Sequence, residues 1–283
     1  MSYGQARDGY LTANGIKLHY LDWGGAGSPI VIVHATGFLA EIYAPIARAL
    51  CAIGHVFGYD QRGHGDSDPA PHGEYNWPAT VADLRGFIEA MGFEGVRGFG
   101  HSAGATALAA VSASNPGLVS RAVLVDPIVH DADDLAELRS RGRALVAGTL
   151  KRRRVFDSVE HAIRHLGSKP PFDTWDKAIL RDYCEYGTRA RSDGGRELKC
   201  DPTVEAKLYA ASGEFDGLSL MLRSQTPFLV VFTKQAHEFR PAALKRIRGQ
   251  LKYGRILDLA DANHLLPMER PAEVARVTLE FLS

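Results

Sequence analysis

Short apolar runs alternate with amphipathic stretches along most of this chain. Pro29–Val33 is continuously apolar, as expected for a parallel strand that is buried on both faces. Residues 16–23 alternate between apolar and polar positions, which predicts a half-exposed strand at a sheet edge. Five further runs are predicted to be strands: residues 55–59, 95–99, 121–125, 227–232 and 255–259.

Helical periodicity separates these strands. Residues 41–53, 77–91 and 103–114 carry apolar positions at helical spacing. Residues 271–282 are also predicted to form a helix, because proline is favoured in a first turn and residue 271 is a proline. Strands that alternate with helices predict a mainly parallel, doubly wound α/β sheet.

The alternation breaks between residues 128 and 223, a long stretch that is helical in pattern and rich in charged and aromatic residues. Because two core strands flank this segment, we expect an inserted helical cap over the end of the sheet. The predicted core domain then comprises residues 1–127 and 224–283. Active sites lie at the carboxyl ends of such strands, so a cap there would cover the site and exclude water.

Composition narrows the function classes. The 283 residues include 33 basic and 33 acidic side chains, and this formal net charge of +0 argues against a nucleic-acid partner. No apolar run approaches a membrane span, and the first residues lack the apolar stretch of a secretory signal. The three cysteines have no metal-site spacing, so we expect reduced thiols and a cytoplasmic protein.

The stretch from Gly100 to Gly104 reads G-x-S-x-G, with Ser102 at its centre. The preceding residues predict a strand, and the alanine-rich residues that follow predict a helix. A serine between a strand and a helix can lie on a sharp turn with its hydroxyl exposed, and flanking glycines let neighbouring backbone approach it. Ser102 is therefore the candidate nucleophile.

A serine hydroxyl needs a base within hydrogen-bond reach, and that base needs a third group to orient it. His264 follows the last predicted strand and precedes the last predicted helix. This position places it at the same edge of the sheet as Ser102. Among the 11 histidines, His264 is the candidate general base.

Three motifs resemble the α/β-hydrolase family: the nucleophile turn around Ser102, the sequence D-Q-R-G-H-G-D-S at residues 60–67, and the pattern N-H-x-x-x-x-E-x-P around His264. The resemblance covers the N-terminal half and the C-terminal residues. It implies a mostly parallel, twisted eight-stranded sheet with helices on both faces and an inserted helical cap. We expect residues 60–67 to form a structural turn.

The resemblance also implies an oxyanion hole. In this family an H-G-x-x segment after the third strand supplies one backbone amide, whereas this chain has H-A-T-G-F at residues 34–38. Counting from His34 places Thr36 at that position, with Phe38 as the alternative if the extra residues bulge. The second amide would come from Ala103, the residue after the nucleophile.

The acid that orients His264 has two candidates. The family most often places an aspartate a few residues after the strand predicted at 227–232, where Ala236 stands here and Glu238 follows. Some capped serine hydrolases, including fungal lactone hydrolases that resemble this chain around Ser102, use an acid after the preceding strand. Asp126 stands there, so Asp126 is the preferred acid and Glu238 the alternative. An aspartate before proline can also simply cap a turn.

Substrate recognition is assigned to the predicted cap and to Phe38. The aromatic side chains that could line an apolar pocket are Phe172, Trp175, Tyr183 and Tyr186. The basic run of residues 151–154 is predicted to be a solvated helix face, because acidic residues precede it and neutralise its field.

These features predict a serine hydrolase that cleaves a carboxylic ester or lactone through an acyl-enzyme on Ser102, with no cofactor and no metal. The same scaffold also serves thioesters, amides, carbon–carbon bonds in vinylogous diketones and perhydrolysis, which fold and triad do not separate. A slow-turnover receptor or binding protein and an inactive pseudo-enzyme are alternatives of other classes. We expect a small-molecule substrate, a monomer or homodimer, and no membrane span.

Overall fold

The structure, a computed structural model, describes residues 6–283. Its strands are β1 (Arg7–Ala13), β2 (Ile16–Gly24), β3 (Pro29–Val33), β4 (His55–Tyr59), β5 (Val96–His101), β6 (Val119–Val125), β7 (Val155–Phe156), β8 (Thr188–Ala190), β9 (Arg196–Leu198), β10 (Phe228–Thr233) and β11 (Gly254–Leu259). Its helices are α1 (Ala44–Leu50), α2 (Trp77–Ala90), α3 (Ala103–Ser114), α4 (Leu135–Thr149), α5 (Val159–Leu166), α6 (Lys177–Tyr186), α7 (Pro202–Ala211), α8 (Gly217–Arg223), α9 (Lys234–Phe239), α10 (Pro241–Gln250), α11 (Leu266–Glu269) and α12 (Pro271–Leu282).

Within residues 6–283, eight strands form one sheet in the order β1-β2-β4-β3-β5-β6-β10-β11. The pairs β1–β2 and β2–β4 are antiparallel, and the other neighbours are parallel. The predicted mostly parallel sheet is therefore confirmed. The prediction that residues 16–23 form the sheet edge is wrong, because β1, whose polar sequence gave no strand signal, pairs outside β2.

The sheet is buried on both faces by helices. Along β3, Ile30 and Ile32 join one hydrophobic cluster while Val31 and Val33 join another, because successive side chains of a strand point to opposite faces. Helices α1 and α12 contribute to the first cluster, and α2, α3, α8 and α10 contribute to the second. Each fully buried branched side chain contributes about 1.5–3 kcal/mol. This two-sided burial fixes the carboxyl ends of the central strands, where the candidate site lies.

Residues 128–223, here called the inserted segment, contain helices α4 to α8. They also contain a three-stranded antiparallel sheet in the order β7-β9-β8, which departs from the purely helical prediction. Strands of two or three residues are too short to give a periodic signal. Residues 151–154 follow the end of α4, so the prediction that they form a helix face is wrong.

Two further predictions concern thiols and membrane spans. Cys51, Cys184 and Cys200 are all free and buried. Among the helices described for residues 6–283, none has both the length and the apolar character needed to cross a bilayer.

Candidate active site

Ser102 lies on the turn between β5 and α3, where the sequence predicts it. Its backbone has φ 55° and ψ −119°, a conformation that residues with a side chain rarely adopt. The Ser102 amide donates to the Val125 carbonyl oxygen at 2.9 Å, which holds the turn against β6. A β-carbon on Gly104 would overlap the carbonyl oxygens of Val33 and His34. Glycine therefore allows α3 to begin this close to β3.

The structure brings Ser102, His264 and Asp126 into one hydrogen-bonded line. Ser102 Oγ lies 2.9 Å from His264 Nε2, and His264 Nδ1 lies 2.6 Å from Asp126 Oδ2. A carboxylate only accepts hydrogen bonds, so Nδ1 carries the proton and Nε2 accepts from the serine hydroxyl. This tautomer can take a proton from Ser102. Asp126 is fully buried, whereas the side chain of His264 is 21 % exposed.

Besides His264, three groups hold Asp126 at the end of β6, where its φ is 44°. Its amide donates to the Val231 carbonyl oxygen at 2.7 Å. Thr233 Oγ1 donates to Oδ2 at 2.7 Å, and Arg240 Nη2 donates to Oδ1 at 2.6 Å. Burial alone raises the pKa of Asp126, but the charges of Arg240 and His264 and the hydrogen bonds outweigh it and hold that pKa well below its usual range. The carboxylate is therefore ionised at neutral pH.

Glu238, the alternative acid, is in a different environment. It lies on α9 with its side chain exposed, and its carboxylate is 3.6 Å from Lys234 on the same helix. Helix α9 begins directly after β10, so this segment does not form a loop that could bring Glu238 inward. Asp126 is the acid that the fold brings to His264.

The loop of residues 34–38 carries the predicted first amide of the oxyanion hole. The amides of Ala35 and Gly37 donate to side chains of neighbouring segments at 3.1 and 2.9 Å. The Phe38 amide donates to the Ala35 carbonyl oxygen at 3.2 Å. The Thr36 amide has no acceptor within residues 6–283. Thr36 is therefore free to donate, whereas the alternative, Phe38, is engaged in a turn.

Ala103 carries the predicted second amide. It is the first residue of α3, and the amides of a first helical turn have no acceptor within the helix. The Thr106 amide closes that turn on the Ser102 carbonyl oxygen at 3.1 Å. The N-terminus of a helix also carries partial positive charge. The segments that hold Thr36 and Ala103 meet where Gly104 approaches β3.

A buried bridge, which sequence analysis missed, joins the loop of residues 34–38 to the loop that carries His264. The Tyr43 hydroxyl accepts from the Ala35 amide and donates to His101 Nδ1 at 2.7 Å. His101 Nε2 then donates to the His264 carbonyl oxygen at 2.8 Å. Burial, reinforced by the nearby His264, lowers the pKa of His101 to about 3, so its ring stays neutral. These residues are far apart in sequence, and no local pattern signals the bridge.

Four aromatic side chains predicted to bind substrate form one cluster beside the loop of residues 34–38. Phe38 meets Trp175 edge to face with ring centroids 5.2 Å apart, and it meets Tyr183 at 5.8 Å. Phe172 stacks on Tyr183 at 5.5 Å. All four are buried, whereas Tyr186 is 37 % exposed. The structure thus groups these four residues and leaves Tyr186 at the surface.

Arg152, from the basic run, is 20 % exposed and paired inside the inserted segment rather than solvated, so its prediction is wrong. Its guanidinium pairs with Glu205 of α7 and donates to the Tyr183 hydroxyl at 2.9 Å. The Glu205 carboxylate lies against Gly37, where a β-carbon would come within 2.8 Å of it. Gly37 also has a φ of 84°, which favours glycine. The ion pair therefore connects the inserted segment to the loop of residues 34–38.

Helix α7 also covers the nucleophile turn. Val204 and Leu208 pack in one cluster with Trp77 and with Ala103, the neighbour of Ser102. Ser102 itself is only 7 % exposed. The inserted segment therefore forms one wall of the site.

One cluster within residues 6–283 has the spacing of a cation site. His19, Asp60 and Asp66 offer ligand atoms that all lie within 4.8 Å of one another. Asp60 already accepts hydrogen bonds from His19 Nδ1 at 2.7 Å and from the Ala40 amide at 2.8 Å. Asp60 also accepts from the Asp66 amide at 3.0 Å, so its hydrogen bonds hold the turn of residues 60–67 in place.

Several known proteins are similar to this chain. The profile of the alpha/beta hydrolase family matches residues 30–277. N-formylmaleamate deformylase of Pseudomonas putida is 38% identical over 122 residues, which are 43% of this chain and 45% of that protein. The 2-hydroxy-6-oxononadienedioate/2-hydroxy-6-oxononatrienedioate hydrolase 2 of Pseudomonas putida is 28% identical over 285 residues, which are 99% of this chain and 95% of that protein. The match thus spans less than half of the deformylase and nearly all of the second enzyme.

Solved structures agree at the level of the fold. The crystal structure of E-2-(acetamidomethylene)succinate hydrolase superimposes with a TM-score of 0.81 at 20% identity, over 98% of this chain and 99% of that one. The family profile covers the strands that carry Ser102, Asp126 and His264. The chain therefore belongs to the alpha/beta hydrolase family.

Proposed function

We propose that the protein is a serine hydrolase that cleaves a carboxylic ester or lactone, with Ser102 as nucleophile, His264 as general base and Asp126 as orienting acid. The observation that carries this proposal is the hydrogen-bonded line from Ser102 through His264 to Asp126. Its serine is held on a strained turn at the carboxyl edge of the sheet. In this proposal the inserted segment acts as a cap that shields the site from water.

Acylation begins when Ser102 Oγ attacks the substrate carbonyl carbon and its proton passes to His264 Nε2. The carbonyl electrons move onto oxygen, and the resulting tetrahedral intermediate carries an oxyanion. When the intermediate collapses, the leaving alkoxide takes the proton from His264 and the acyl group stays on Ser102. Asp126 keeps Nδ1 protonated and stabilises the imidazolium in between.

Deacylation repeats these steps with water as the nucleophile. His264 Nε2 takes a proton from water as the oxygen attacks the acyl carbon. The second tetrahedral intermediate expels Ser102 Oγ, which recovers its proton from His264. The products are one carboxylic acid and one alcohol, or one hydroxy acid if the substrate is a lactone.

The unengaged amides of Thr36 and Ala103 support an oxyanion hole for both intermediates. A buried amide with no acceptor costs free energy in the resting protein, which it regains when an oxyanion accepts from it. The loss of one such donor typically lowers the rate about 10²–10³-fold.

Turnover of aryl esters, thioesters and lactones by the purified protein tests this proposal. We expect hydrolysis by the native chain, none by Ser102→Ala, and covalent labelling of Ser102 by a fluorophosphonate. Ser112→Ala is the matched control, because this buried serine of α3 bonds only to its own helix, at the Leu108 carbonyl oxygen. Turnover that persists in Ser102→Ala, or a Ser102 that resists the fluorophosphonate, would contradict the proposal.

A second candidate function is the hydrolysis of an amide of an unsaturated dicarboxylic acid. The similarity to N-formylmaleamate deformylase favours it. The same residues suffice, because His264 can protonate a leaving nitrogen as it protonates a leaving alkoxide. N-formylmaleamate and a methyl ester of the same dicarboxylic acid are tested side by side. A higher kcat/KM for N-formylmaleamate favours amide hydrolysis, and a higher kcat/KM for the methyl ester favours ester hydrolysis.

A further inference from the structure

The segment after β10 supplies a cation near the place where an acid is expected. In the family pattern an aspartate stands a few residues after this strand, and here that position is Ala236. The same segment instead contributes Thr233 at the end of β10 and Arg240 at the end of α9, and both bond to Asp126. The acid thus lies after β6, and its supporting groups come from β10 and α9.

We propose that Arg240 is a positioning residue for the reaction, which holds Asp126 toward His264 and balances the charge of its buried carboxylate. The inference rests on the proposed triad. Arg240 touches neither Ser102 nor His264 in a hydrogen bond within residues 6–283. It acts through Asp126 and through the backbone of the next residue, Pro127.

The geometry of the ion pair decides which carboxylate oxygen faces the histidine. Arg240 Nη2 donates to Asp126 Oδ1 at 2.6 Å. Asp126 Oδ2 is therefore left to accept from His264 Nδ1 and Thr233 Oγ1. Arg240 Nη1 donates to the Pro127 carbonyl oxygen, so one planar guanidinium holds both the carboxylate and the backbone that follows it. Arg240 is 4 % exposed and Asp126 is 0 % exposed, so solvent screens this pair little.

Few other ionisable groups surround the pair. Those that face it from neighbouring elements are His264, His101, His130 and Asp134. The His101 ring lies 5.3 Å from that of His264 and stays neutral. Burial and, to a smaller extent, the charge of Arg240 lower the pKa of His130, which favours its neutral form. The Asp134 carboxylate accepts from the amides at the start of α10.

The direction of the effect follows from the charges. Without Arg240, the buried Asp126 carboxylate has no full positive charge beside it until a proton arrives. That proton binds either to His264, as imidazolium, or to Asp126 itself, and both outcomes remove the free base. Loss of Arg240 should therefore move the acidic limb of the pH–rate profile to higher pH.

The test compares Arg240→Gln, which removes the charge, with Arg240→Lys, which keeps it. The measurements are kcat/KM for p-nitrophenyl acetate and the rate of fluorophosphonate labelling at Ser102, each from about pH 5 to 9. We expect Arg240→Gln to raise the midpoint of the acidic limb by about one pH unit and to lower kcat about 100-fold. Arg240→Lys should keep the midpoint within about 0.3 unit of the native value while kcat falls several-fold.

Arg62→Gln is the matched control. Arg62 is as buried as Arg240 and forms two hydrogen bonds to Asp83, at 2.6 and 2.7 Å, away from the triad carboxylate. We expect this variant to lose thermal stability without a shift of the acidic limb. A shift of the same size in Arg62→Gln, or none in Arg240→Gln, would overturn the inference.

Folding and substrate choice do not confound the test. If Arg240→Gln does not fold, Arg240→Lys tests the inference instead. A shifted acidic limb of the pH–rate profile in that charge-retaining variant would overturn the inference. If the native protein cleaves no ester, the ester proposal fails, and the labelling profile at Ser102 still reports on Arg240.

Discussion

Helices α3 and α4 differ sharply in burial. Ten of the twelve residues of α3, which begins beside Ser102, are buried, whereas of the fifteen residues of α4 only Thr149 is buried. Helix α3 packs between the sheet and α2 and α8, while α4 packs on α7 within the inserted segment. Regions with few buried contacts open at the lowest free-energy cost.

The difference in burial assigns different tasks to the core and to the inserted segment. The core holds the proposed nucleophile, base and acid and the unengaged amides in one arrangement, because both faces of its sheet are buried. The inserted segment touches the site loops through side chains: its aromatic cluster packs on Phe38, and Glu205 lies against Gly37. Val204 and Leu208 pack with Ala103. We therefore expect changes at the core residues of the candidate site to act on kcat and changes in the inserted segment to act on stability and KM.

The triad acid should show the strongest effect. Asp126→Asn should lower kcat about 10³–10⁴-fold, because an amide at this position favours the wrong tautomer of His264. Glu238→Gln, the control, should change kcat less than about twofold, because that side chain is exposed and faces Lys234. Steady-state kinetics of both variants provides the measurement, and the reverse order of effects would move the acid to Glu238.

The ion pair of the inserted segment should matter for stability. Arg152→Met leaves the buried Glu205 carboxylate without its cation, so we expect the free energy of unfolding to fall by about 2–4 kcal/mol. Arg189→Met removes a partner of Glu197 from an exposed pair and should cost less than about 1 kcal/mol. Urea unfolding measures both, and equal losses would show that burial of the Arg152 pair has no effect.

The buried bridge should act on rate rather than on binding. Tyr43→Phe removes the hydroxyl that links the Ala35 amide to His101, so we expect kcat to fall about tenfold at unchanged KM. Tyr59→Phe is the matched control, because the buried Tyr59 hydroxyl has no hydrogen-bond partner within residues 6–283. A normal kcat in Tyr43→Phe would show that the bridge does not contribute to the reaction rate.

The smallest effect is expected from Glu41. Burial, together with the nearby Asp182 carboxylate of α6, raises the pKa of Glu41 from 4.5 to about 7. Since the folded state binds this proton more tightly than the unfolded state does, stability is lost as the pH rises from 4.5 to about 7. Glu41→Gln should therefore raise Tm at pH values above that range and leave it unchanged below. If the native protein and Glu41→Gln had equal Tm values at every pH in this range, Glu41 would ionise freely in the folded protein.

Sequence patterns predicted most of the core but not all of it. Residues 271–282 form a helix with the predicted bounds, because the apolar periodicity there is strong and proline marks the first turn. Strand β1 was missed because its sequence, RDGYLTA, is mostly polar and partly exposed. Its place in the sheet depends on pairing with β2, which is a property of the whole fold.

The candidate site divides in the same way. Ser102 and His264 could be singled out as candidates from the sequence, because a local motif and a position after a strand mark them, and the structure brings them together. The choice of Asp126 over Glu238 needed the structure, since both positions are compatible with the family pattern. Arg240 and Tyr43 carried no sequence signal, because Asp126 and His101, the side chains to which they bond, lie more than fifty residues away.

The sequence was sufficient for the fold class, the strand–turn–helix around Ser102 and the place of His264 after the last strand, because these depend on local periodicity and on which element precedes which. Only the tertiary structure decided which acid faces His264, which amides stay unengaged and which cation balances Asp126. Burial and hydrogen bonding between distant segments set these features. Such interactions exist only once the sheet has brought the ends of β5, β6, β10 and β11 together.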